Sequence, residues 1–140
     1  MTDAQYQRRI VDMIEDTRVF ETPLNKIREP GITFGLDSLG CLLRMTDKVT
    51  EALKEAAPNA NHDMSSRDRL LMYSSLGGSI KNPEDLQVAL TIAYNHNVHS
   101  LEKIHAILVL SPMDKKKLEK IAKSLLAAGK EAKAFSESLK

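Results

Sequence analysis

Apolar residues recur along this chain at intervals of three and four, the repeat of one helix face, and period-two alternation is nearly missing. From about Asp3 to Phe20, Tyr6, Ile10, Met13 and Ile14 share a face and predict a first helix. Thr22-Pro23 reads as a cap followed by a proline at the first helical position, opening a short turn that Pro30-Gly31 stops. A second long helix is predicted from Leu36 to Ala57, where Leu36, Leu39, Leu42, Leu43, Val49 and Leu53 repeat at helical spacing. Cys41, Met45, Ala52 and Ala56 widen that stripe, which marks this helix as central. The one strand-like run, Ile32-Thr33-Phe34, is fenced by glycines and too short for a sheet, so it reads as an extended linker.

After a polar, Asn-rich loop at residues 58–64, Ser65 or Ser66 can cap a helix carrying Leu70, Leu71, Tyr73 and Leu76, closed by Gly77-Gly78. Asn82, Pro83, Glu84 and Asp85 then satisfy three start rules together: a cap, a proline behind it and first-turn carboxylates. The helix that follows is expected to stop in Asn95-His96-Asn97. Ser100 would cap a separate short helix with Leu101, Ile104, Ile107, Leu108 and Leu110. Ser111-Pro112-Met113-Asp114 reads as another capped start.

Beyond it, Leu118, Ile121, Leu125, Ala128, Ala132, Phe135 and Leu139 fall at alternating steps of three and four, a heptad seam that runs through Gly129. The expected fold is therefore all-α: a single domain over residues 1–140, a five- or six-helix bundle with a long C-terminal helix over 112–140. The part after Gly129 would extend about 18 Å at 1.5 Å per residue, long enough to project past a compact bundle.

Composition adds limits. The 140 residues suit one domain that needs no staples, and 42% apolar with 28% charged residues is ordinary for a globular chain. Cys41 is the single cysteine, so no intrachain disulfide can form, and its apolar neighbours mark a buried structural thiol. The N-terminus has no signal-peptide core, and the longest apolar run, at residues 106–110, is too short to span a bilayer. A cytoplasmic location is the expectation.

Charge is uneven. Residues 112–140 hold eight lysines against four carboxylates, a net +4; with +1 overall, residues 1–111 carry −3.

No catalytic motif stands out. His96, His99, Glu102 and His105 recur every third residue, yet with a turn between two helices they would not share a face, and polar capping is the better reading than metal ligation. Gly31, Gly35 and Gly40 lack the Gly-Lys-Ser/Thr ending of a phosphate loop, and Ser38 lacks the flanks of a nucleophile elbow. The adjacent pairs Glu15-Asp16 and Glu84-Asp85 would point apart on helices. No cofactor, metal site or enzymatic activity is expected.

Two possible helix–turn–helix units argue poorly for groove reading: one begins with Glu84-Asp85, which phosphate repels, and the other is too apolar. Lys115, Lys116, Lys117, Lys120 and Lys123 are the candidate phosphate contacts of a nucleic-acid-associated regulatory protein. The favoured expectation is a non-enzymatic protein–protein interaction module: an adaptor, inhibitor, chaperone or assembly subunit. Its partner would be another protein or a second copy, met through Leu125, Ala128, Ala132, Phe135 and Leu139. On that expectation Phe135→Ala with Leu139→Ala would abolish the contact and leave helix content almost unchanged.

Overall fold

The computed structural model describes residues 1–31, 35–59 and 83–139. Among them are five α-helices and no strand: α1 (Asp3–Glu15), α2 (Glu21–Asn25), α3 (Leu36–Ala56), α4 (Pro83–Leu110) and α5 (Lys115–Ser138), with a 3-10 turn (Lys26–Arg28) after α2. The fold is all-α, and the helices pack as a bundle. The helix expected at residues 66–76 lies outside the described residues, as do the Ile32–Phe34 linker and the Asn82 cap.

α1 begins with a reciprocal capping box: Thr2 Oγ1 accepts from the Gln5 N–H, and Gln5 Oε1 accepts from the Thr2 N–H. It ends at Glu15 rather than at Phe20. Asp16 explains the early stop, because its carboxylate accepts from the Arg18 N–H at 3.0 Å and also from the Arg18 guanidinium, closing a turn that competes with the helix. The Arg18 bonds hold the Asp16 carboxyl below its ordinary range. α2 then starts at Glu21, one residue before the expected Thr22 cap. Pro23 sits in its first turn, where a missing N–H costs nothing, and Pro23 and Leu24 turn inward.

The core is organised on α3. α5 runs antiparallel along it, as four side-chain contacts record in order: Ser38 with Ser138, Arg44 with Glu131, Glu51 with Ser124, and Glu55 with Lys120. Between these, Met45, Val49 and Ala52 of α3 and Leu118, Ile121 and Leu125 of α5 are all fully buried. α5 starts one turn later than Ser111 predicts: Asp114 is the cap, and its carboxylate accepts from the Lys117 N–H at 2.9 Å.

α5 continues through Gly129. A Cβ there would lie 3.3 Å from Val19 Cγ1, so the missing side chain lets the turn after α1 approach. The 3-10 segment ends at Glu29, in extended geometry, and Gly31 beyond it holds a left-handed φ of +80°.

α4 is one 28-residue helix, where two were expected. Asn95, His96 and Asn97 do not break it because two of them are tied to α3. Asn97 is fully buried and donates from Nδ2 to Thr46 Oγ1 at 3.0 Å; Thr46 in turn donates to Leu42 O. His96 Nε2 lies 3.0 Å from Thr50 Oγ1. These tertiary bonds offset the weak helix propensity of the triplet. Ser100 is accordingly a buried mid-helix residue rather than a cap.

Candidate functional site

The C-terminal seam is part of this chain's own core. Leu125, Ala128, Ala132 and Phe135 are 0% exposed, and Leu139, half-buried, ends α5 against the same cluster. Nor does the helix project: Ser38 Oγ donates to Ser138 Oγ at 2.8 Å, Ser138 donates to Phe135 O, and Arg44 binds Glu131 at 3.1 Å. The heptad repeat found an intramolecular partner in α3, so Leu125, Ala128, Ala132 and Phe135 offer no free surface and Leu139 only part of its own. The expectation for the Phe135/Leu139 double variant reverses accordingly, from lost contact to lost stability.

Of the candidate phosphate contacts, Lys115, Lys116, Lys120 and Lys123 are exposed and Lys117 is half-buried. Lys120 and Lys123 line a shallow hollow of about 510 Å³ with Lys48 and Lys54 of α3. Glu51 and Glu55 stand in the same hollow, within 3.3 Å of Lys48 and 4.0 Å of Lys120 respectively, so cations and carboxylates interleave there.

A less balanced surface lies along α1 and α4. The two helices run antiparallel, and beside the buried Ile10 and Val11 of α1 they are joined by polar ties. At one end Gln7, buried on α1, clamps the α4–α5 connection: its Nε2 donates to Leu108 O and, at 2.8 Å, to Ser111 O, while its Oε1 accepts from the Met113 N–H at 3.0 Å. At the last residue of α1, Glu15 Oε1 lies 2.8 Å from His105 Nε2. That hydrogen bond, helped by the charges of Arg8 and His105, holds the Glu15 carboxyl below its ordinary range against a smaller opposing effect of desolvation.

Either side of the Glu15–His105 tie a hollow opens along α4, one facing α2 and the other facing α1. The larger hollow, about 470 Å³, has a floor of Phe20, Leu24 and Leu101, with Ile14 and Val98 on its walls and Glu21 and Glu102 at its rim. Tyr94 closes its far end, donating from its hydroxyl to Asn25 Oδ1 at 3.1 Å, with the Arg28 guanidinium 4.8 Å from the ring centroid. The second hollow, about 380 Å³, lies between the N-terminal half of α1 and the end of α4, beside Val109 and Leu110. Those two are 55% and 79% exposed, held out at a connection that Gln7 fastens with three hydrogen bonds.

No family model matches the chain, and no curated protein or solved structure is similar to it at a level that carries an inference. The site must therefore be read from its own chemistry.

His96, His99, Glu102 and His105 stand on one continuous helix, contrary to the turn expected between them, but they are occupied apart: His96 with Thr50, His99 at 3.8 Å from Glu102, His105 with Glu15. Among the described residues no group of three or more His, Cys, Asp or Glu is placed to hold a metal ion. Cys41 is buried and accepts from the Arg44 guanidinium at 3.4 Å. Among the described residues no helix is long and apolar enough to cross a membrane.

The α1–α4 surface was missed because its parts are far apart in sequence. One signal was present: α4 carries Val88, Val98, Val109 and Leu110 outside its buried stripe of Leu90, Ala93, Leu101, Ile104 and Leu108. A helix apolar beyond one stripe has more surface to cover than its own bundle covers.

Proposed function

We propose that this protein is a non-enzymatic protein–protein interaction module whose contact surface is the open seam between α1 and α4. The observation that carries this reading is the pair of apolar hollows flanking the Glu15–His105 tie, with Val109 and Leu110 exposed at the C-terminal end of α4. Concave apolar ground with a few fixed polar groups is the usual composition of a binding site, and a pre-formed surface loses little entropy on association. Among the described residues the hollows hold no arrangement of nucleophile, base and oriented partner, which favours binding over chemistry.

The test uses two surface variants, Val109→Asp with Glu102→Lys on the seam and Lys116→Glu with Lys123→Glu on α5, in affinity purification from the source cells followed by quantitative mass spectrometry. Partners lost with the seam variant and kept with the lysine variant support the reading. Partners kept by the seam variant overturn it.

A second reading has one observation behind it: the exposed lysines of α5 are joined by Lys48 and Lys54 across the 510 Å³ hollow. Such a face suits phosphate backbone contact in a nucleic-acid-associated protein. Interleaved Glu51 and Glu55 weaken it. Anisotropy with a labelled duplex at two salt concentrations decides it, since genuine phosphate contacts lose affinity steeply as salt rises.

A further inference from the structure

We infer that the partner segment seated on the α1–α4 seam is an amphipathic helix of another protein whose apolar anchors are flanked by lysine or arginine. The inference rests on the interaction reading above and adds the chemistry of the occupant.

Shape argues for a helix. The two hollows follow one another along α4, the first facing α2 with Val98 beside it and the second facing α1 with Val109 beside it. Eleven residues of α4 separate them, about 16 Å at 1.5 Å per residue, so a helix of about three turns laid along the seam reaches both. Helix-in-groove docking places anchors at one-turn spacing on apolar ground of this kind.

Charge argues for a basic margin. Among the described residues no lysine or arginine lines the larger hollow, whereas Glu21 and Glu102 do, and Glu15 stands behind His105 at its edge; the smaller hollow carries one charge of each sign, Asp3 and Arg8. Three arginines of the surrounding elements are occupied: Arg8 with Asp12 at 2.9 Å and with Glu15, Arg18 with Asp16, and Arg28 over the Tyr94 ring. A partner with acidic margins would meet like charge at the rim; one with basic margins meets Glu21 and Glu102.

The experiment uses the full chain and three fluorescein-labelled model helices of about 18 residues, sharing one leucine stripe at helical spacing and differing only at the margins: lysine, glutamine or glutamate. Anisotropy is measured at low and high salt against the wild type, a Glu21→Lys/Glu102→Lys variant and Val109→Asp, whose sites are exposed and whose folding is checked by circular dichroism. The expected result is lysine-margin binding about tenfold tighter than glutamine-margin binding, reduced by salt and inverted towards the glutamate helix in the double-lysine variant. Equal binding of the lysine and glutamine helices, still weakened by Val109→Asp, overturns the basic partner while leaving the seam as an interaction surface. Absence of binding by all three, or binding indifferent to Val109→Asp, overturns both.

Discussion

Along α3 and α5, small and large apolar side chains alternate and shut the seam to solvent, whereas along α1 and α4 the helices meet through a glutamine clamp and a carboxylate–imidazole tie with hollows between. Alanines account for much of the difference. Ala52 and Ala56 on α3 and Ala122, Ala128 and Ala132 on α5 let the backbones approach, so Phe135 and the leucines interdigitate without gaps. The α1–α4 pair brings Gln7, Glu15 and His105 to its contact beside the buried Ile10 and Val11, and hollows remain at their flanks. A strict heptad therefore marked the part of the molecule that is structurally saturated. The surface left open is where the repeat is impure.

Breaking the closed seam should have the largest effect. Phe135→Ala empties a fully buried site and is expected to cost about 3–5 kcal/mol, read as a lower midpoint in urea denaturation. Retained stability in that variant would mean the seam is looser than its burial implies.

Much of this half of the fold was legible beforehand: the heptad, the central stripe of α3 and the buried Cys41 depend on local spacing alone. What could not be read was the partner of each face. The repeat from Leu118 to Leu139 is compatible with an internal or an external mate, and only the position of α3 settles which. The same limit explains α4. Asn95-His96-Asn97 looks like a stop because the residues that hold it helical, Thr46 and Thr50, lie on another helix about fifty positions away.

The open seam should respond less, and at its clamp first. Gln7→Ala strips two carbonyls and one N–H of their side-chain partner and is expected to cost about 1–3 kcal/mol, with faster amide exchange at Met113. If exchange there is unchanged, the connection is held by something other than Gln7. Smaller again are the caps: Thr2→Ala on α1 and Asp114→Ala on α5 should each cost about 1 kcal/mol by thermal denaturation. Comparable losses at both would show that the seams share one cooperative unit.

The smallest effect belongs to Glu15. Its carboxyl titrates below its ordinary value in the folded protein, so its contribution is present above that ordinary value and fades as pH falls through the lowered one. Glu15→Gln should flatten that acid-side slope slightly and leave stability near neutrality almost unchanged, a difference to be read in paired denaturation series from mildly to strongly acidic pH. An identical slope in both proteins would remove the His105 tie as a solution feature.

The continuity of α4 through its histidine and asparagine residues has one more consequence. Had the helix broken there, Val98 and Val109 would sit on separately hinged pieces and could adjust to many visitors. On a single rod their separation is constant, so under the proposed docking the surface would act as a ruler: a visiting helix would qualify by the spacing of its anchors before its chemistry is tried, and one residue inserted between them would turn the second anchor about 100° away from its hollow.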